Sequence, residues 1–424
     1  MRLVVLLLQV ALSIFSKNPD LAAGNLCGYF PQDTLVSEAP GGYKPFYISH
    51  ISRHGSRYLG EGGMKYFQAI DTLGFYAAKG MLTADGLSLL EDLKVMREMT
   101  AGHEGGLTPL GALEHRQICS RMVRHYPEVF SGGKRSRVEA FSTPSPRVLA
   151  SMDSFLSELA VRSPGLAVDR YETSWGGDSR SQEVVGYNHL FKDDLKRQAD
   201  KKDRELRQLG KAINGGNGDF HVFAERVFRD PSAVSPSTVY LLARYSYKVL
   251  KTGRVTEPAT LPGMGKYFTA SELYALWVNN GIFWLKNVNL PGYVSPLANT
   301  RGIGIRDRIV QDADEAIRSG SATAATLRFS HDSYLLPLMT ALRLEGTQLE
   351  CDERQILDQF QDFNFICPAC NVQLVFYRKK CRGPILVKFL LNEKETLLHG
   401  LQPKTGCFYD WDSVKQFWAA GQSR

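Results

Sequence analysis

The chain has 424 residues, 43% of them hydrophobic and 22% charged, with 51 Lys and Arg against 44 Asp and Glu and a formal charge of +7. That length can bury a large core and exceeds one minimal domain, and the composition, free of low-complexity tracts, excludes wholesale disorder. The basic excess is mild: it steers anionic ligands weakly, and its one dense cluster, Lys192 to Lys211, is interspersed with acids and reads as a solvated helix face, so no nucleic-acid partner is expected.

In chain order, Met1-Arg2 precedes an apolar run from Leu3 to Phe15 with the proportions of a signal peptide. Residues 1–23 are read as that leader, with cleavage between Ser16 and Gly24. The run falls short of the about 20 residues a bilayer span takes, and no later segment reaches that length. The expected protein is exported, to periplasm, medium or an endomembrane lumen, and has no stable membrane span. Export permits disulfides among Cys27, Cys119, Cys351, Cys367, Cys370, Cys381 and Cys407, an odd set that leaves at least one unpaired. Local pairing is expected within Cys351 to Cys381. Cys367-Pro368-Ala369-Cys370 has redox or zinc spacing but no second pair, so structural bridges or buried thiols are expected.

Pro45 to Ile51 is aromatic and β-branched, a buried strand ending at Arg53-His54-Gly55. Leu89, Leu90, Leu93 and Met96 give Thr83–Thr100 an amphipathic helical spacing. Thr108-Pro109 opens a helix to about Tyr126, with Thr108 as N-cap and Pro109 in the first turn. Val138–Thr143 reads as a strand and Arg147–Val161 as a helix. Strand signals then thin out, and 163–292 reads as a mostly helical insertion, with helices near Asp193–Ile213 and Pro236–Lys251. A helix at Asn299–Arg318, a strand at Ala325–Ser330 and a helix at Ser333–Leu344 follow, then strands at Asn371–Tyr377 and Ile385–Leu391. The order implies an α/β fold: a three-layer αβα sandwich around a mostly parallel sheet, with core parts at 24–162 and 293–424 and the insertion as a cap.

Three strand ends carry the chemistry. Arg53, His54 and Arg57 follow the first, Arg147 follows the second, and His331 and Asp332 follow the third. In a parallel sheet such ends share one edge, where ligands bind. A nucleophile, several cations for phosphoryl oxygens and an acid for the leaving oxygen are what phosphoryl transfer through a covalent enzyme intermediate needs. Taken singly, His331-Asp332 is as well explained by an N-cap of the next helix and Arg147 by a solvated helix face; the joint pattern outweighs both. His103-Glu104, Glu114-His115-Arg116, His125 and His221 do not reproduce a zinc-helix spacing, and no metal is expected. Glu114 to Arg116 are candidates for organising the site from behind.

Ser52-Arg53-His54-Gly55-Ser56-Arg57, the Ser-Thr-x-x-x-Arg of Ser142 to Arg147 and the His331-Asp332 pair resemble the three signatures of the histidine acid phosphatases, a branch that includes phytases. Glu114-His115-Arg116, Asn371 to Arg378 and Val387 to Glu393 are similar to the subgroup of multiple inositol polyphosphate phosphatases. The resemblance covers about Lys44 to Trp411. It implies a phosphoric monoester hydrolase in which His54 becomes phosphohistidine, Arg53, Arg57, Arg147 and His331 hold the phosphoryl group, Asp332 protonates the leaving alcohol, and no cofactor or metal takes part. The implied partner is a small phosphomonoester, inositol phosphates included. Two departures stand out: Tyr58-Leu59 where the family often has Pro two residues after the second arginine, and His331-Asp332 where the inositol polyphosphate subgroup carries His-Ala-Glu. Beside Arg53 and Arg57, Asp332 should be ionised until the substrate's own charge restores its proton, which predicts an acidic optimum. The alternatives are a mutase-like enzyme that returns the phosphoryl group to another hydroxyl, and a binder of phosphate esters without turnover.

Overall fold

A computed structural model describes residues 13–29, 36–172, 193–256, 261–318, 320–350, 355–380 and 383–422. Its centre is an eight-stranded sheet in the order β3-β2-β4-β1-β5-β6-β7, with β8 also on β6. Here β1 is Tyr43–Arg53, β2 Arg137–Ser142, β3 Ala167–Glu172, β4 Thr323–Ser330, β5 Asn371–Lys379, β6 Leu386–Leu391, β7 Lys394–Thr396 and β8 Phe408–Asp410. The half formed by β3, β2, β4 and β1 is parallel. From β5 onward the added strands run antiparallel.

The near-continuous burial of β1, β4 and β5 shows a sheet covered on both faces, the reason these strands read as apolar runs instead of alternating ones. Helices Pro109–His125 and Pro146–Arg162 pack together, as do Pro296–Ile317 and Asp332–Ala341. The expected elements form with shifted ends. Thr83 and Thr108 cap their helices by accepting from the N–H groups of Gly86 and Gly111, and the helix expected from Pro236 runs on to Thr256.

The stretch beginning at 163, expected to be mostly helical, opens with β3, an edge strand paired only with β2 among the described strands. Its Ala-Val-Asp-Arg-Tyr-Glu sequence is half-exposed and polar, which hides it from a search for apolar runs. The described cysteines Cys27, Cys119, Cys367, Cys370 and Cys407 are free, buried thiols, the second of the two states expected, with no bridge among them; Cys351 and Cys381 lie outside the described residues. Of the leader, residues 1–12 lie outside the described residues, but Phe15 packs edge-on against Trp277 at 5.5 Å, and Ala22 and Ala23 are fully buried in a short helix, Pro19–Leu26. Asp20 pairs with Arg254 at 2.9 Å. Any cut in the expected window would remove the Phe15 contact, and only one at its early end would keep those of Asp20, Ala22 and Ala23. No described helix is long and apolar enough to cross a membrane.

One core residue sets a limit in acid. His50 of β1 is fully buried between Phe155 and Phe329, with ring centroids 5.5 and 6.1 Å away, and neither ring nitrogen has a partner among the described residues. Burial first, then the proximity of His115 and Arg328, lowers its pKa to about 3. An unfolded histidine takes its proton near about 6.5, so from there down to about pH 3 the unfolded state binds more protons and stability falls with pH. His50→Leu is therefore expected to narrow the gap in melting temperature between pH 7 and pH 4, read by calorimetry. An unchanged gap would remove His50 as its source.

Candidate functional site

The parallel half delivers the site by register. Arg53 ends β1 opposite Ser330 at the end of β4, and Ser142 of β2 pairs with Phe329. The segments that follow these three strands therefore converge at one edge, as expected for an α/β sheet. The His54 N–H donates to the Ser330 carbonyl at 3.0 Å and the Thr143 N–H to Phe329 at 3.2 Å, which locks the loops in place.

The loop after β1 turns where only glycine fits. A Cβ on Gly55 would collide with the Gly111 backbone, and one on Gly111 with Ser56. That close approach of loop to helix is held by Glu114, whose carboxylate accepts from the Ser56 N–H at 2.7 Å and its hydroxyl at 2.6 Å. Ser151 donates its hydroxyl to the Arg147 carbonyl at 2.8 Å and accepts from the Gly55 N–H at 3.1 Å, tying the His54 loop to the helix that carries Arg147. Glu114 thus does hold the site from behind. His115 instead packs in the core against Phe329, 5.7 Å away, and His103 stacks on Tyr58 at 5.3 Å. Among the described residues no group of three His, Cys, Asp or Glu is placed to hold a metal.

His54 is 3% exposed. Its Nδ1 lies 2.8 Å from the carbonyl of Gly55. A carbonyl only accepts, so Nδ1 carries the proton and Nε2 keeps the lone pair in the neutral ring. Burial, then the charges of Arg53, Arg147, His331 and Arg57, keeps the pKa well below the usual histidine range, so the ring is neutral even in mild acid. A buried neutral imidazole ringed by cations is the state a nitrogen nucleophile needs.

His331 stands edge-on to His54 with centroids 5.7 Å apart. Its Nε2 is 3.1 Å from the Thr143 hydroxyl and its Nδ1 3.5 Å from an Arg147 nitrogen. Burial and Arg147 lower its pKa to about 4. Asp332 opens helix Asp332–Ala341. Its Oδ1 accepts from the Ser333 N–H at 2.8 Å, while Oδ2 meets Arg53 at 3.0 Å and the Asn25 amide at 3.1 Å. Burial pushes this carboxyl up, but Arg53, His331, Asn25 and Arg57 together hold it below the usual carboxylate range. Arg53 is itself 1% exposed and donates to the carbonyls of Asn25 and Ile366, so it braces the acid as much as it adds charge. Arg57 donates to the Tyr58 carbonyl at 2.8 Å. All six residues singled out from the sequence gather in this cluster.

Asn25 is the residue the sequence did not disclose. It touches both Asp332 and Arg53, and its own N–H donates to Asp362 at 3.0 Å. Asp362, fully buried, also accepts from the Trp277 indole at 2.8 Å. A lone Asn after an apolar leader has no motif to mark it.

Beside the cluster opens a cavity of about 670 Å³, whose walls include Arg57, Lys248, Lys251, Lys286, Arg301 and Ser333, with no acidic residue among those described. Lys248 and Lys251 come from the helix Pro236–Thr256, within the stretch expected to be an insertion. Burial, then Lys248, presses the Lys251 ammonium well below its ordinary pKa. The room is larger than one phosphate, and its walls carry basic side chains from several elements.

No family model matches the chain, and no curated protein matches it by sequence. Solved structures match by fold. The apo form of the Bifidobacterium longum multiple inositol polyphosphate phosphatase aligns with a TM-score of 0.77 at 15% identity, over 94% of this chain and 98% of that one. Its complex with inositol hexasulfate aligns at 0.73 and 16% identity, over the same shares of the two chains. The phytase from D. castellii aligns at 0.67 and 13% identity, over 95% of this chain and 85% of that one. At such identities the shared property is the fold.

Proposed function

We propose that the chain is a histidine acid phosphatase, hydrolysing phosphomonoesters through a phosphohistidine on Nε2 of His54. The observation that carries this reading is the tautomer: Nδ1 is committed to the Gly55 carbonyl, which leaves the Nε2 lone pair available in a ring of Arg53, Arg57, Arg147 and His331. In the reaction Nε2 attacks phosphorus in line, the P–O ester bond breaks, and the electron pair leaves with the ester oxygen as it takes the proton of Asp332. Water then attacks phosphorus and gives a proton back to Asp332. The P–N bond breaks, Nε2 recovers its lone pair, and inorganic phosphate departs. The charge that builds on the equatorial oxygens is met by the cations, whose fixed guanidinium forks suit phosphate.

The acid-free, cation-lined cavity favours substrates with several phosphates, inositol phosphates among them. The B. longum enzyme with the same fold was solved with inositol hexasulfate and with phosphate. The apolar run Leu3 to Phe15 supports an exported compartment for the enzyme. A rapid quench of labelled substrate, run in the presence of a chelator, should trap a phosphoenzyme stable in alkali and labile in acid, on the peptide that contains His54. Product formed in a first turnover with no labelled protein at any time would overturn the phosphohistidine.

A further inference from the structure

We infer that the insertion carries a second anion-binding pocket, next to the catalytic cavity, for a multiply phosphorylated small molecule. Its volume is about 350 Å³, and it lies between the helices Asp193–Ile213, Pro236–Thr256 and Ala270–Gly281. Arg207, Lys211, Arg244 and Lys248 line it, with no acidic residue among the described ones. The first three have no carboxylate partner among the described residues, although ion pairs are common nearby: Lys202 meets Glu205 at 2.8 Å and Lys286 meets Asp203 at 2.6 Å. Arg207 lies over the Phe283 ring, 5.1 Å from its centroid, which fixes that guanidinium at the pocket wall.

Like charges gathered in one cleft repel each other, and water screens them less there than on an open face. The strain registers on Lys248, whose pKa falls to about 8 through burial, then Arg244 and Lys65. A polyanion relieves that repulsion, and two arginines beside two lysines match phosphate groups in geometry and charge. The helix face that the sequence presents as merely solvated, Lys192 to Lys211, thus turns two of its cations into a concave site. Lys248, Asn280 and Phe283 line both this pocket and the catalytic cavity. The second pocket therefore holds a polyanion one side chain away from the cavity where turnover occurs.

The choice of probe rests on the reading of the main cavity as a polyanion site. Inositol hexasulfate, which has no phosphate to lose, is titrated calorimetrically into the full chain and into the triple variant Arg207→Gln, Lys211→Gln, Arg244→Gln, with Lys248 left intact. The wild type is expected to bind two equivalents and the variant one, with unchanged turnover of p-nitrophenyl phosphate, which needs only the His54 cluster. One equivalent in both proteins, or two in both, would overturn the second pocket. The phosphoenzyme experiment does not depend on these residues, so the two proposals fail separately.

Discussion

Replacing His54 by alanine is expected to lower kcat toward p-nitrophenyl phosphate by about 10⁴-fold or more, and to abolish the labelled phosphoenzyme, with little change in melting temperature. The size follows from what the ring does. Alanine removes the nitrogen proposed to form the covalent bond, and water would have to replace that positioned nitrogen. Stability should hold because the backbone of residue 54 is fixed by its own ladder, donating to Ser330 and accepting from the Ala369 N–H at 2.9 Å, not by the side chain. Removing the ring also relieves a buried group kept from its proton by cations on several sides. Activity within tenfold of wild type would sink the assignment. A variant that fails to fold is recognised by its melting curve, and His54→Asn then serves as the smaller change.

The same ring shows how much of the site was legible in the sequence. Arg53, His54 and Arg57, Arg147, and His331-Asp332 could be found because each follows a strand whose apolar run is plain, and parallel strands place their ends together whatever the sequence separation. The supports were legible only in part. Glu114 stood out only as part of the Glu114-His115-Arg116 segment, yet its grip on Ser56 depends on Gly55 and Gly111 touching, a contact between segments more than fifty residues apart. Asn25 lay at the seam of an expected leader, and its role arises from folding against Asp362 and Arg53, which no local pattern encodes. The strand β3 escaped because an edge strand exposed on most of its length needs no apolar run. The cations of the insertion looked like an ordinary wet helix face, since spacing along one helix does not reveal what the neighbouring helices enclose.

Asp332→Asn should separate acid catalysis from charge. With a poor leaving group such as the alcohols of inositol hexakisphosphate, kcat is expected to fall about 10²- to 10⁴-fold, the usual contribution of a positioned general acid. With p-nitrophenyl phosphate, whose leaving oxygen hardly needs a proton, the loss should stay under about tenfold. The comparison is made within one variant because Asp332 is also the ion partner of Arg53, at 3.0 Å and nearly buried. Breaking one half of such a pair costs about 3–5 kcal/mol, and a smaller folded fraction would slow both substrates equally. The ratio of the two losses is immune to that. The pH profile gives a second handle. In the empty site Arg53, His331, Asn25 and Arg57 hold the carboxyl low, so it is ionised and cannot donate. A bound phosphate ester cancels part of that positive field and raises the pKa, and the proton is held only below the raised value. Activity on the poor leaving group therefore declines as pH rises, giving an acidic optimum, and the asparagine variant should lose that alkaline limb. On the acid side His54 stays neutral well below the usual histidine range, while the buried His50 makes stability fall as pH drops, so loss of fold adds to the loss of activity in acid. Equal slowing of both substrates, with the alkaline limb retained, would take the acid role away from Asp332.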